Sequence, residues 1–397
     1  MTSLPRVPDV VQLTSEGPAA QESLPDIFRR FLGFGLRAWG GPAAQIAMVR
    51  DSVVDEWKWV TQERFNRLLG IYQVLPGPEA TEMCVHFGYL RRGRIGGLLA
   101  GLGFMLPGFI LMLAIAALYV AFLKDDPELL GYLVGFPAAV VGIVAIACIR
   151  LGSHALHDER LMFLGLWAGV LTWLNAPFWI LLPAAGLAYL RPSRLLFAAA
   201  LAVGSVLGIL FASDSTATVA DLSGGGASPW LLGLSGLKAG FLTFGGAYTA
   251  LPFLQRDSVG HYASGREFLD GVALSGILPA PFIIFATFLG YVAGGLAGAV
   301  LMTVGIFLPA FAFTLLGADH LDRLAHHPLL HPFLDGVTAA VIGLLTATMF
   351  RLFMDLNELQ FLLVFLAFFL LLRAKAKWAT AAMVLACGAV GAIAHML

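Results

Sequence analysis

Phe34-Gly35-Leu36-Arg37-Ala38-Trp39-Gly40-Gly41-Pro42 and Leu75-Pro76-Gly77-Pro78-Glu79-Ala80-Thr81-Glu82 set two breaks inside otherwise apolar stretches, and both breaks return in the second half of the chain. Ala38-Trp39-Gly40-Gly41 recurs as Thr243-Phe244-Gly245-Gly246, and Leu75-Pro76-Gly77-Pro78 as Leu278-Pro279-Ala280-Pro281. Outward from them, Arg50-Asp51-Ser52-Val53 matches Arg256-Asp257-Ser258-Val259, Gly88-Tyr89 matches Gly290-Tyr291, and Leu106-Pro107-Gly108-Phe109 matches Leu308-Pro309-Ala310-Phe311. Arg150 finds its echo in Arg351. Order is kept and the spacing barely drifts, which marks an internal duplication.

The composition around these breaks leaves one class of protein. Of 397 residues, 59% are hydrophobic and 12% charged, against roughly 25% charged in an ordinary soluble chain. Mean hydropathy is +0.84. A soluble protein of this size could not cover its surface with so few charges. The expected fold is an all-α polytopic membrane protein. A net charge of −1 offers no basic excess for phosphates and excludes a nucleic-acid partner. Cys84, Cys148 and Cys387 lie singly in apolar stretches, which suits packing and neither a disulfide framework nor a zinc ribbon.

With about 20 residues needed per crossing, apolar runs fall at 30–48, 68–89, 95–122, 129–150, 161–174, 176–190, 195–212, 230–254, 268–292, 294–317, 333–354, 358–372 and 378–396. They predict about thirteen transmembrane segments, within a range of ten to thirteen. Residues 1–25, with four prolines and no apolar core, read as a disordered cytoplasmic tail, and Ser213 to Ser228, centred on Gly224-Gly225-Gly226, as a linker. If all thirteen runs cross, sixteen basic residues fall on one side and six on the other, which puts the N-terminus in the cytoplasm and the C-terminus outside. The exceptions between Arg50 and Arg67 alternate with acids and, with Trp57 and Trp59, suggest an interfacial amphipathic segment. Two repeats, 26–190 and 230–397, then flank a connecting segment and linker at 191–229. An odd crossing between two six-segment units turns the second upside down, an inverted-topology repeat of the kind found in many secondary transporters.

Proline and paired glycines interrupt helices, and such breaks are tolerated at membrane depth where freed backbone lines protein or a water-filled cavity. A broken helix presents N–H groups and the positive end of its dipole, which suits an anion. The candidate binding set is Arg37, Gly40, Gly41, Gln73, Pro76, Gly77 and Pro78 in the first half, with Lys238, Gly245, Gly246, Pro279, Ala280 and Pro281 in the second. Arg37 and Lys238 would neutralise a dianion; for Lys238 the plain alternative is snorkelling to the interface. Glu79 and Glu82 share one helical face with His86 a turn further on, as proton carriers or as members of an ion pair. The second half has Phe282 and Phe285 at the acid positions, so that role belongs to one half only. Asp270 is expected near a membrane end and solvated. The loop histidines His326, His327 and His331, and His154 with His157, lack the partners of a metal site, and no phosphate loop or hydrolase elbow appears. No metal and no cofactor are expected.

The two quoted stretches, with Gly88-Tyr89-Leu90-Arg91-Arg92-Gly93, Gly103-Phe104-Met105-Leu106-Pro107 and their second-half echoes, resemble the chromate ion transporters (ChrA type) in the long form with two homologous halves. The resemblance runs from about residue 28 to the C-terminus, with departures at Gly-Gly-Ala (245–247) and Pro-Ala-Pro (279–281) that put an equal share of the two halves in doubt. It implies a secondary transporter of the bacterial inner membrane that exports chromate and confers chromate resistance, with sulfate as the close analogue, and no enzyme. The expected partners are such an oxyanion and the lipid bilayer, and a homodimer is left open. A transporter of another anion on the same scaffold, or a membrane-embedded enzyme using Glu79, Glu82 and His86, are the competing readings.

Overall fold

A computed structural model of the chain describes residues 22–73, 75–190, 193–212, 227–317, 329–373 and 378–396. Most of the expected tail and linker, and the loop with His326 and His327, lie outside the described residues. Among those described there is no sheet: the chain runs as helices. Five are long and apolar enough to cross a membrane, within Glu79–Leu123, Pro127–Ala155, Phe282–Gly317, Leu330–Met354 and Ala379–Met396.

The first half opens with two helical hairpins. Helix α1 (Leu24–Gly35) starts under the Ser23 side chain, and the chain turns at Gly40-Gly41, whose φ angles of +92° and +77° favour glycine. It returns as α2 (Gly41–Arg50), continued by a π turn at Asp51–Glu56. Trp57 stacks on Phe34 with centroids 5.2 Å apart and meets Phe31 at 6.3 Å, so the return limb lies beside α1. Helix α3 (Gln62–Tyr72), capped by Thr61, turns at Pro76-Gly77-Pro78 and returns as the first arm of α4 (Glu79–Leu118). Phe65 stacks on Phe87 at 5.9 Å, and the Tyr72 hydroxyl shares a 2.8 Å hydrogen bond with His86 Nδ1.

Helix α4 then folds on itself. Arg92 (φ −143°, ψ 31°) and Gly93 (φ 61°, ψ −155°) leave helical geometry, and the second arm packs against the first with Gly88 and Gly96 backbone to backbone. After α5 (Pro127–Gly131), helices α6 (Phe136–Ala155), α7 (Glu159–Trp173), α8 (Phe178–Tyr189) and α9 (Arg194–Leu210) complete this half.

The second half repeats the scheme. Helix α10 (Pro229–Phe241) turns at Gly245-Gly246 (φ +75° and +122°) into a 3-10 turn and α11 (Leu251–Ser258). Helix α12 (Gly265–Ile277) turns at Pro279-Ala280-Pro281 into a second 3-10 turn and α13 (Phe285–Gly317). That helix breaks at Gly294 (φ −146°, ψ 21°) and Gly295 (φ 61°, ψ −152°), within a few degrees of the torsions at 92 and 93, and Gly290 meets Gly298 as Gly88 meets Gly96. Helices α14 (Leu330–Met354), α15 (Glu358–Arg373) and α16 (Ala379–Met396) follow. Within each half the first helix packs along the long second arm, α1 on α4 and α10 on α13, and the two arms pack on each other at the molecule's centre. Helix α14 packs on α7 and α8, where Arg351 donates to the Thr172 and Trp173 carbonyls and to Asn175, all within 2.9 Å, and so caps α7.

Two expectations change. The apolar runs 30–48, 68–89, 230–254 and 268–292 are each divided by a turn, so single helices do not fill them. The stretch 50–67 joins the two hairpins, with Trp57 and Trp59 packed on Phe31. Asp270 is not solvated: the α12 hairpin buries it to 1% exposure, 2.8 Å from the Tyr119 hydroxyl, with Arg266 3.9 Å away.

Candidate functional site

The four turns meet. The Gly77 N–H donates to the Thr243 carbonyl at 2.9 Å, joining the first half's Pro-Gly-Pro turn to the strandless run before Gly245-Gly246. Gln45 on α2 donates through Nε2 to the Ala38 carbonyl (2.9 Å) and to the Ala280 carbonyl (2.8 Å), which ties the first half's Gly-Gly turn to the second half's Pro-Ala-Pro turn. A Cβ on Gly41 would stand 2.7 Å from the Tyr248 hydroxyl, and one on Gly246 would stand 3.7 Å from both Glu79 carboxylate oxygens. All of these contacts except that of Gln45 with Ala38 cross from one half to the other.

Both Pro-x-Pro turns rest on the long arm of the opposite half. A Cβ on Gly77 would be 3.2 Å from Ala310 on α13, while Ala280 presses its Cβ onto Gly108 on α4. Positions 108 and 310 are equivalent in the repeat. The contact is thus a small residue against a smaller one on each side, with glycine and alanine exchanged. That exchange accounts for both departures between the Leu-Pro-Gly-Phe and Leu-Pro-Ala-Phe motifs and between Pro-Gly-Pro and Pro-Ala-Pro.

A helical segment begins immediately after every one of these turns: α2 after Gly40, α4 after Pro78, and the 3-10 turns after Gly246 and Pro281. None of the four starts has a side-chain cap, a lack they share with α6, α8, α9, α10, α11 and α14, whereas α1, α3, α5, α7 and α12 are capped by Ser23, Thr61, Asp126, Asp158 and Ser264. The first N–H groups of a helix have no intrahelical acceptor, and a helix start without a side-chain cap suits an anion.

The carboxylates stand in the same place. Glu82 is fully buried, its Oε1 lies 2.8 Å from where a Gly77 Cβ would be, and neither of its oxygens has a hydrogen-bond partner. Glu79, 7% exposed, faces Gly246. His86 is buried and engaged by Tyr72. On the second-half side Phe282 and Phe285 are buried, and Phe282 packs on Tyr248 with centroids 4.4 Å apart.

The other sequence candidates lie differently. Pro76, Pro78, Pro279 and Pro281 are buried in the turns. Gln73 caps α3 and its side chain is exposed. Arg37 is exposed, and its Nε donates to the Gly33 carbonyl one turn back at 2.9 Å. Lys238 is not free to face an anion: its Nζ is 2.6 Å from Asp257 Oδ1 and 5.0 Å from the Phe178 ring centroid. The buried carboxylate one helix away claims the ammonium. Gln45, Thr243 and Tyr248 were not singled out from the sequence. A lone glutamine within the apolar run 30–48 was the one available signal.

The chain is similar to known proteins along most of its length. The profile of the Chromate transporter family matches residues 25–190 and 230–392. A chromate transport protein of Pseudomonas aeruginosa is 50% identical over 342 residues, covering 84% of this chain and 82% of its own length. One from Cupriavidus metallidurans is 29% identical, covering 86% of each chain. An uncharacterized transporter of Methanocaldococcus jannaschii is also 29% identical, over 88% of this chain and 90% of its own. No solved structure matches. With the family profile covering both halves and this geometry between them, the chain belongs to the chromate transporter family and is a multi-pass membrane protein.

Proposed function

We propose that the chain is a secondary transporter that exports chromate from the bacterial cytoplasm across the inner membrane, with sulfate as a competing analogue, by alternating access of two inverted repeats around the meeting place of the four turns. One observation carries the reading: four uncapped helix starts, two from each half, converge on one spot through Gly77–Thr243, Gln45–Ala280, Gly41–Tyr248 and Glu79–Gly246. A tetrahedral dianion suits such a spot, because hydrogen bonds to a charged acceptor are stronger than neutral ones. Relatives in two bacteria are named chromate transport proteins. Arg37, open and close to Gly40-Gly41 in the chain, draws the anion in; Lys238 holds Asp257 and is left out of the site.

The four hairpins enter the membrane and turn back, which leaves nine crossings: the long arms of α4 and α13, and α6, α7, α8, α9, α14, α15 and α16. Two contacts support opposite entry of the two hairpin pairs. Arg91, where the long arm of α4 begins, lies 5.0 Å from the Trp59 ring of the first pair. Lys124, just beyond the other end, pairs at 3.1 Å with Glu267, where α12 of the second pair begins. In this topology Arg50, Lys58, Arg64 and Arg67 join Arg29, Arg30, Arg91, Arg92 and Arg94 on one face, and the positive-inside rule makes that face cytoplasmic. The exceptions between Arg50 and Arg67 disappear, while Lys124 and Arg351 stay on the other face, where Arg256 and Arg266 join them. The test is transport: purified chain in vesicles with an imposed potential moves chromate, sulfate competes, and Arg37→Ala slows uptake at low chromate. Vesicles that accumulate no chromate, or transport indifferent to sulfate, overturn the assignment of substrate.

A further inference from the structure

An anion site bordered by two buried carboxylates is a contradiction unless something neutralises them. Glu82 has no exposed surface, and both of its oxygens are without a partner. A carboxylate in that position is stable only with a counter-ion or a proton. It touches the Pro-Gly-Pro turn at Gly77, and Glu79, one turn back on the same face, touches the Gly-Gly turn at Gly246. Both therefore lie against the backbone assigned above to the oxyanion. From this geometry we infer that Glu82, with Glu79 beside it, binds a proton together with the oxyanion, so that the transported unit is the anion plus one proton.

The inference rests on the oxyanion reading of the turns and adds the co-transported ion. Protonation converts Glu82 from an acceptor that repels the anion into an O–H donor that can face an anion oxygen. The proton moves between solvent and a Glu82 carboxylate oxygen, no covalent bond of the anion changes, and the proton leaves when the anion does. A metal ion fits less well. Hard cations gather six or more oxygens, and among the described residues no three His, Cys, Asp or Glu side chains gather into such a group. The Ala310 methyl, which meets the same Cβ position of Gly77 as the Glu82 carboxylate, is apolar. The titratable and charged groups around the pair are His86 on the same arm, Tyr72 and Arg64 on α3, Tyr248 after the second Gly-Gly turn, and Arg150 on α6 within electrostatic reach of Tyr248. His86 is engaged by Tyr72, which leaves the two glutamates as the carriers. The second half offers Phe282 and Phe285 at the same positions, so one half alone supplies the proton site.

Proton uptake on binding reads this directly. The detergent-solubilised full chain is mixed with chromate at alkaline pH, where chromate does not itself protonate, in weak buffer with a pH indicator, and again with sulfate. The expected result is uptake of about one proton per bound anion, with affinity falling about tenfold per pH unit above the titration of the pair. Glu82→Gln, neutral at every pH, is expected to bind chromate with affinity changing less than twofold over that range and with uptake abolished. Glu79→Gln, a milder change at the acid that is 7% and not 0% exposed, tests the same link if Glu82→Gln does not fold. Chromate binding without proton uptake in the unaltered chain, uptake unchanged in the glutamine variants, or binding that requires sodium overturns the proton assignment and leaves the oxyanion site standing. Absence of any chromate or sulfate binding overturns both.

Discussion

Two glycines with empty space around them separate backbone strain from packing. A Cβ on Gly70, in α3, or on Gly93, at the break of α4, would meet nothing within 4 Å. Gly70 is helical, so Gly70→Ala should be neutral or stabilise by up to about 1 kcal/mol. Gly93 has φ 61° and ψ −155°, a region occupied almost only by glycine. Gly93→Ala should lower stability by about 1–3 kcal/mol, read as a fall in the melting temperature in detergent, and equal melting of the two variants would refute the strain. Gly108 tests packing instead. Its Cα faces Ala280 across the two halves, so Gly108→Ala overpacks the contact, at about 1–3 kcal/mol. Adding Ala280→Gly, which re-creates the glycine–alanine pairing of Gly77 with Ala310, should recover part of the loss. Strictly additive effects in the double variant would mean that the two positions do not touch.

At the level of the helical elements, function is expected to reside in the turns and insertion in the limbs. Gly41 (φ +77°, facing the Tyr248 hydroxyl) and Gly77 (φ +151°, facing Glu82) have no room for a side chain. Gly41→Val or Gly77→Val should therefore abolish transport while the protein still reaches the membrane; lowered abundance with normal turnover per molecule would contradict this. These turns were legible in the sequence because Gly-Gly and Pro-x-Pro break helices by covalent geometry alone, and the division of runs near 93 and 294 coincides with the breaks in α4 and α13. The hairpins were not legible. A hydropathy window of about 20 residues sums two short apolar limbs and the turn between them to the same value as one crossing. Nor did the sequence disclose that Asp257 holds Lys238, or that Gln45 reaches Ala280, since pairings between helices leave no local pattern. The glutamates were visible as charges in an apolar run, but their lack of a basic partner was not.

For the whole molecule, the charge carried and the number of crossings are linked questions. A potential of 100 mV is worth about 2.3 kcal/mol per elementary charge, so a bare dianion leaving a negative interior gains about 4.6 kcal/mol and an anion accompanied by one proton about half that. Export thus remains downhill in the potential with the proton aboard, provided that the face with the first two hairpins is the inner one. Thirteen full crossings and nine crossings with four re-entrant hairpins both put the chain ends on opposite faces, so labelling the termini cannot separate them. Glu63 and Glu128 can, because thirteen crossings place them on the same outer face and the hairpin topology places them on opposite faces. Glu63 lies in the first turn of α3 with an 85% exposed side chain, and Glu128 lies exposed in α5, just past the far end of the long arm of α4. In a background with Cys84, Cys148 and Cys387 replaced, a membrane-impermeant maleimide applied to intact cells should label Glu128→Cys and spare Glu63→Cys, which should react once the membrane is opened. Equal labelling of both in intact cells would restore the thirteen-crossing chain and with it a different path for the anion.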